Sequence, residues 1–507
     1  MKAKAFKFFS NSRFLASVSG AVTFLAIPPL NLYFFAWFGL IPLFYALEKP
    51  LKSGFGEGFC AGLVFNTATV FWLAFNSGTY PVVAALTMFV TALVLATGWG
   101  VASWVYNHLQ SLLGESSCLI IPFSWIAWEG WLSYLGELAF PWPLLSLTQA
   151  GFSSILQIME FTGVWGVSFW VVSLNVILFL FLKRINQRRV LTVVLFFWFL
   201  IPFGARLYAG KYIQADIPFV NVMIIQGNID PKEKWERSVE FSWTVYDSIT
   251  RTGSIGENHL ILWPETALPI NLPDNRYYCN KVTDLAENMQ SSIVLGASGR
   301  QIIDERTRPI NAAYQVKPQK GLIALNAKWW LVPFGERVPF QFIIPQLREL
   351  NLGQAEFLTG VHQKLFEVKA SGDTAKFPVI ICYESVFSDL TRQAVRNGAN
   401  LHTNISNDAW YGRTTQLPQI AAISRFRCIE TRRSMARASN TGISFLADPL
   451  GRIMKVLEIE ERGSISGNLP LNTEKTFFVK YGRWFLGLMS LVYGIVIIVS
   501  LLLRRKG

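Results

Sequence analysis

Phe377-Pro378-Val379-Ile380-Ile381-Cys382-Tyr383-Glu384 is an apolar, β-branched run that breaks off at a thiol and a carboxylate. A run this short and rich in Val and Ile reads as a buried strand. Similar runs recur around it: Val220 to Ile225, Leu260 to Trp263, Ile293 to Leu295, Ala312 to Val316, Leu401 to Ser406 and Ile443 to Ala447. Polar stretches of helical length separate several of them: Lys232 to Thr252, Arg276 to Gln290 and Gln419 to Ala438. The last sets Ile420, Ile423, Phe426, Ile429 and Ser434 along one side with arginines elsewhere, as an amphipathic helix would. Strands alternating with helices predict an α/β layered domain. Asp448-Pro-Leu-Gly451 supplies the turn of a hairpin near its end.

On either side of this region the chain becomes apolar. Phe14 to Leu47 and Gly58 to Gly114 contain no Asp, Glu, Lys or Arg. Pro28-Pro29 breaks the first run, and Asn76-Ser-Gly-Thr-Tyr-Pro81 divides the second. Cys118 to Trp131 (carrying Glu129), Gly163 to Leu182, Val190 to Ala205 (with a kink expected at Pro202) and Trp484 to Leu503 follow. A crossing helix needs ~20 residues, so two spans within Phe14 to Leu47 would be short; one helix and a re-entrant piece is the alternative. With two counted there, about eight transmembrane helices are expected. No small-residue cleavage site follows the first span, so it reads as more than a signal peptide.

Basic residues flank these runs at Lys2, Lys4, Lys7 and Arg13, at Lys49 and Lys52, at Lys183, Arg184, Arg188 and Arg189, and at Arg504, Arg505 and Lys506. The intervening loops, Asn76 to Pro81 and Tyr134 to Glu160, carry no Lys or Arg. The positive-inside rule then puts both termini in the cytoplasm and Lys211 to about Tyr481 on the other side. The expected organisation is a transmembrane region over 1–210 (about seven helices), an extracytoplasmic catalytic domain over 211–480, and a last helix with a cytoplasmic tail over 481–507.

Composition agrees with this division. Of 507 residues, 51% are hydrophobic and 16% charged, which excludes a disordered chain. The net charge of +13 does not mark a nucleic-acid partner, because much of the basic excess borders apolar spans. The five cysteines (60, 118, 279, 382 and 428) show neither paired spacing nor His partners. No disulfide framework, metal or cofactor is indicated.

Three groups in the layered domain are the parts of a thiol acyl-transfer site. Cys382 ends one strand, where α/β sheets place reactive groups. Glu265 ends another in Leu262-Trp-Pro-Glu-Thr266, where a carboxylate against an aromatic wall would have its pKa raised and act as a base. Lys328 precedes Trp329 and Trp330, where an ammonium would lower a thiol pKa and stabilise an oxyanion. Singly, each has a plain structural reading: a small buried hydrophobe, a salt-bridged loop carboxylate, a snorkelling amine. His259, His362 and His402 do not fit a Cys-His pair, so a Glu base must replace histidine.

Trp263-Pro-Glu-Thr266, Asn326-x-Lys328-x-x-Leu-Val-Pro-Phe-Gly-Glu336, Ile381-Cys-Tyr-Glu384 and Ser406-Asn-Asp-Ala-Trp-Tyr-Gly412 occur in that order. The set resembles the signature of the nitrilase superfamily. With the flanking spans, and with Phe140-Pro-Trp142, Gln226-Gly-Asn228 and Ser439-Asn-Thr-Gly442, the chain is similar over nearly its whole length to its membrane-anchored branch, the bacterial apolipoprotein N-acyltransferases. The resemblance implies an αββα sandwich on an α-helical membrane bundle, with a Glu265-Lys328-Cys382 triad. Glu265 would take the thiol proton and later activate the acceptor amine. Lys328 and the Tyr383 N–H would hold the oxyanion, and Glu336 would position Lys328 or the incoming amine. Glu384, Trp235, Trp410 and Phe340 would shape the site and its lid. The implied reaction moves an acyl chain from a phospholipid to Cys382, then to the α-amino group of a lipoprotein's N-terminal diacylglyceryl-cysteine. It implies a monomer in the bacterial inner membrane, its catalytic domain periplasmic. Trp330 stands where relatives commonly carry His before Leu-Val-Pro-Phe-Gly-Glu, and Gln419-Ile420 where many carry Gln-His.

A lipid substrate also follows from the bilayer. Each exposed CH₂ costs about 0.8 kcal/mol, so withdrawing a long chain costs on the order of 10 kcal/mol, which an enzyme over the leaflet avoids. Trp125 to Trp142 would form an interface belt or entry. Gly335 to Gly360, with Phe340, Phe342, Ile343 and Ile344, is a candidate lid; a small helix packed on the core is the alternative. Two rival functions share parts of the pattern. One is a tethered amidase in which water discharges the thioester. The other is a non-catalytic transporter or lipoprotein chaperone, which would hide paired charges at mid-membrane depth, where Glu129 is nearly alone.

Overall fold

The computed structural model describes residues 11–49, 53–212, 217–253, 259–303, 306–341, 343–349, 356–360 and 363–504. Lys2, Lys4, Lys7, Lys52, Phe342, His362, Arg505 and Lys506 lie outside the described residues. The chain divides into two compact units: Met1–Ala74, Val82–Gly210 and Tyr481–Gly507 form one, Phe75–Pro81 and Lys211–Lys480 the other.

The first unit is helical. Among the described residues five helical runs are long and apolar enough to cross a bilayer: Phe55–Phe75, Pro81–Ser133, Val164–Lys183, Ile185–Tyr212 and Trp484–Leu503. The long apolar helices make this a multi-pass membrane protein. The expected count of about eight is not reached on helix length. Ser12–Phe24 has 13 residues, about 20 Å at 1.5 Å each, against ~30 Å of hydrocarbon. Tyr33–Leu47 is likewise too short. The run Pro81–Ser133 contains two helices, Pro81–Leu113 and Ile121–Ser133, joined through the 3-10 turn Gly114–Ile120. Close approach of backbones packs the first helix: a Cβ on Gly20 would lie 2.1 Å from the carbonyl of Ala61. Glu129 is buried and accepts from neutral donors, Trp125 Nε1 at 3.2 Å and Leu145 N at 2.8 Å.

In the second unit the predicted strands form, with others besides. The first sheet takes β1 (Phe219–Gln226), β2 (Leu260–Leu262), β3 (Leu268–Asn271), β4 (Ser292–Ile303), β5 (Arg306–Lys317) and β6 (Gly321–Ala327). The second takes β7 (Leu365–Ala370), β8 (Asp373–Ile381), β9 (Leu401–Ser406), β10 (Ser434–Ser439), β11 (Ser444–Ala447) and β12 (Ile453–Leu457). β13 (Gly463–Pro470) then returns to pair antiparallel with β1. The strand orders are β13-β1-β2-β4-β5-β6, with β3 on β4, and β12-β11-β10-β9-β8-β7. Alternation along β1 shows the layering. Val220, Val222 and Ile224 face Phe377, Val379, Ile381 and Ala436 of the other sheet. Met223 and Ile225 face Trp243, Tyr246, Val282 and Leu285 on helices Val239–Gly253 and Arg276–Asn288. Helix Gln416–Thr431 covers the outer face of the second sheet through Ala421 and Cys428. The order helix, sheet, sheet, helix is the nitrilase-like α/β arrangement.

Two expected elements come out differently. Lys232 to Thr252 is two helices, Pro231–Glu236 and Val239–Gly253. Gln419 to Ala438 is helical only to Thr431; Arg432 turns the chain in the left-handed region (φ 53°) into β10. Its arginines do not mark a solvent face: Arg427, Arg432, Arg433 and Arg437 are fully buried. The helix is enclosed around most of its circumference, so polarity no longer reports which side meets water.

Candidate active site

The parallel strands β2, β8 and β9 end together, and the polar groups that follow them converge on one cavity of about 670 Å³. Glu265, Lys328, Cys382 and Glu336 all line it, as do Trp235 and Trp410. Phe340 is not among its lining residues; Phe357 is.

Glu265 leaves β2 through Pro264 on a path laid against β4. Gly296 permits it, because a Cβ there would lie 2.4 Å from Thr266 N and 2.6 Å from Glu265 Cα. The expected wall of Trp263 does not flank this carboxylate. Trp263 turns into the helix layer, donates from Nε1 to Thr250 Oγ1 at 3.0 Å and stacks on Tyr246. Donors surround Glu265 instead. Its Oε1 accepts from Asn311 Nδ2 at 2.6 Å and Lys328 Nζ at 3.3 Å, and its Oε2 from Asn407 N at 2.8 Å.

Lys328 follows β6, with 1% of its side chain exposed, between two carboxylates. Its Nζ lies 2.8 Å from Glu336 Oε1, and Asn311 Nδ2 donates to that same oxygen at 3.2 Å. Glu336 is fixed by Val332 N, which donates to Oε2 at 2.9 Å. Burial pulls the ammonium pKa down, but Glu265 and Glu336 more than offset it and hold Lys328 well above its ordinary value.

Cys382 begins the 3-10 helix Cys382–Val386 directly after β8, with φ at 50°. This turn releases the side chain from the sheet into the cavity. Burial and the Glu265 carboxylate push the thiol pKa up, against the opposing pull of Lys328. Glu384 joins the two halves of the site. Its Oε1 accepts from Trp329 N at 2.6 Å and Trp330 N at 3.2 Å, and its Oε2 from Ile381 N at 2.8 Å. One carboxylate thus ties the segment after Lys328 to the segment before Cys382; burial pushes its pKa up to about 7. The Tyr383 ring packs edge-on against Phe387, and Trp330 stacks on the same ring at 4.3 Å.

Several contributors had no role assigned from the sequence. Asn311 bridges both carboxylates from mid-β5, and Asn407 acts through its backbone N–H. Asn76 to Tyr80 line the cavity although they lie between two membrane helices in sequence; Ser77 N and Oγ both donate to Trp410 O, at 2.8 and 2.9 Å. Trp235 is half exposed, whereas its neighbour Lys234 is fully buried and has no hydrogen-bond partner among the described residues; burial pushes that amine down to about 8. Among the described residues, no group of three or more His, Cys, Asp or Glu could hold a metal ion.

A cavity lined by a thiol, two carboxylates and an ammonium, in an α/β sandwich whose chain also carries membrane-length helices, fits a membrane-anchored enzyme of the carbon-nitrogen hydrolase class. A carbon-nitrogen hydrolase domain is matched over residues 224–477, and an apolipoprotein N-acyltransferase N-terminal domain over residues 19–177. The chain is 30% identical to the apolipoprotein N-acyltransferase of Geobacter metallireducens, over 97% of this chain and 95% of that one. For the Chlorobaculum tepidum and Thermotoga maritima proteins of the same name, identity is 30% and 27%, over 92% and 98% of this chain and 92% and 94% of theirs. An amidase from Nesterenkonia sp. is similar over 54% of this chain and 97% of its own, at a TM-score of 0.40 and 16% identity. The chain belongs to the apolipoprotein N-acyltransferase family.

Proposed function

We propose that the protein transfers an acyl chain from a phospholipid, through a thioester on Cys382, to the α-amino group of the N-terminal diacylglyceryl-cysteine of lipoproteins. The observation that carries this reading is the gathering of Glu265, Lys328 and Cys382 on one cavity in a chain with long apolar helices. In the first half-reaction Glu265 takes the thiol proton while sulfur attacks the ester carbonyl. The Lys328 ammonium and the Tyr383 N–H stabilise the tetrahedral oxyanion. The acyl C–O bond breaks, and the proton on Glu265 passes to the departing lysophospholipid oxygen. In the second, Glu265 takes a proton from the attacking amine and returns it to the sulfur as the C–S bond breaks. Glu336 holds Lys328 in place throughout. Trp235 and Trp410, which line the cavity, serve substrate binding, and Phe340, outside its lining, belongs to the lid.

In this reading residues 211–480 are the catalytic domain on the periplasmic side of a monomer, and both termini are cytoplasmic. The two short leading helices, taken as a pair, leave the parity of the passes unchanged, and with both helices of 81–133 counted the termini fall on one side. Lys183, Arg184, Arg188 and Arg189, against a Lys- and Arg-free 134–160, support that orientation.

Acyl-enzyme prepared with phospholipid alone, freed of donor and then given a diacylglyceryl-cysteine peptide, tests the acceptor. The triacylated peptide is expected as the adduct disappears. Loss of the adduct to water at the same rate with and without peptide would assign the protein as a tethered amidase instead.

A further inference from the structure

At the wall of the cavity, which Asp408 helps to line, lies a buried ion pair that the chemistry above does not use. Arg437 and Asp408 are both 0% exposed, with Nη2 2.7 Å from Oδ2. A buried pair of this kind is commonly no more stabilising than apolar residues of the same volume, so stability alone does not account for it. Its bonds lead toward both reacting groups. Arg437 Nη1 donates to Asn404 Oδ1, and Asn404 Nδ2 donates to the Ile380 carbonyl at 2.9 Å, two residues before Cys382. Asp408 Oδ1 accepts from Ser406 Oγ at 2.7 Å, and Oδ2 accepts from Ser439 Oγ at 2.8 Å. The Ser406 hydroxyl sits beside the Cys382 thiol. The next residue, Asn407, points its N–H at Glu265. Arg437 also holds Ile443 O through Nε at 3.3 Å, fixing β10 to the loop before β11.

We propose that the Arg437–Asp408 pair is a positioning element for acyl transfer: it locks the Ser406-Asn407 bend so that Glu265 and Cys382 are held in mutual register. The inference rests on reading Glu265 as the base and Cys382 as the nucleophile. Asp408 fixes the bend, Asn404 fixes the strand that ends at the thiol, and Arg437 bonds to both of them. A displacement of the order of an ångström between nucleophile and base costs about 100-fold in rate.

The test is single-turnover acylation of Cys382 by a soluble p-nitrophenyl ester, in the full-length protein, normalised to folded protein. Asp408→Asn and Arg437→Gln, and the neutral double variant, are each expected to lose about 100-fold in acylation rate constant, with the half-saturating ester concentration unchanged. Arg437→Lys keeps the charge without the fork and should recover part of the loss. A folded double variant that acylates at the wild-type rate overturns the proposal, since a purely structural pair would lower stability and leave the rate. If the double variant does not fold, Ser406→Ala, which leaves the pair intact, should lose about 10-fold; no loss overturns the proposal equally. Glu265→Gln separates this inference from its premise. A wild-type rate there sinks the base assignment, whereas a large loss there with none in the pair variants sinks only the role of the pair.

Discussion

Replacing Lys328 by Met keeps the length of the side chain and removes the cation that sits between two carboxylates. At 2.8 and 3.3 Å, and an effective dielectric of about 20, the two attractions are worth roughly 6 and 5 kcal/mol before desolvation. Burial of the ammonium offsets much of this, and removing one partner of a buried ion pair typically leaves a net cost of ~3–5 kcal/mol. The larger consequence is chemical. Glu265 Oε1 and Glu336 Oε1 share Asn311 Nδ2 as a donor, at 2.6 and 3.2 Å, so without Lys328 they face each other as like charges. The oxyanion also loses its cation, and a donor of that kind is worth about 10²–10³ in rate. Lys328→Met is therefore expected to acylate Cys382 about 10²–10³-fold more slowly, with a lower unfolding midpoint in guanidinium. Mass spectrometry of the Cys382 peptide during incubation with phospholipid measures the rate. A folded Lys328→Met protein acylating within about tenfold of wild type would refute the ion-triad account.

Further outcomes follow from two buried groups. Glu384→Gln turns one acceptor oxygen into an NH₂ that meets the N–H of Trp329 or Ile381, so acylation should fall about 100-fold with little change in fold, read by the same peptide assay. Because the Glu384 pKa is raised to about 7 in the folded protein, the native state binds more protons than the unfolded one between about 4.5 and 7. Wild-type stability from this group falls as pH rises through that window, and the Gln variant should lack the slope in guanidinium titrations across it. Lys234 is the opposite case: its pKa is lowered to about 8 from 10.5, so this amine destabilises the fold at neutral pH, by up to about 3 kcal/mol. Lys234→Met should raise the unfolding midpoint at pH 7, and the gain should shrink as pH rises from 8 toward 10.5; a gain independent of pH would show that the buried charge is not its source.

The parts of the site that are side chains at strand ends were legible in the sequence. Glu265 and Cys382 follow β2 and β8, and the parallel register of β2 and β9 with their neighbours brings those ends together. What stayed hidden acts through geometry. Asn407 contributes a backbone N–H, which no side-chain pattern reports. Asn311 is one polar residue within β5, and its value depends on Glu265 and Glu336 meeting over it. Helical periodicity carried to Ala438 hid Arg437, because the helix ends at Thr431 and Arg437 belongs to β10, a strand buried on both faces. Trp263 shows the limit of adjacency: two residues from Glu265, it belongs to another layer. In the membrane region, apolar length alone did not separate crossing helices from the short pieces on either side of Pro28-Pro29.

Every step of the proposed transfer passes through an acyl group on Cys382. Purified protein incubated with a phospholipid of defined chain length and no acceptor, then digested and mapped by mass spectrometry, tests it directly. One acyl mass is expected on the Cys382 peptide, removable by hydroxylamine and absent in Cys382→Ala and Glu265→Gln. An unmodified Cys382 peptide alongside continuing transfer to acceptor, or an adduct that persists in Cys382→Ala, would contradict it.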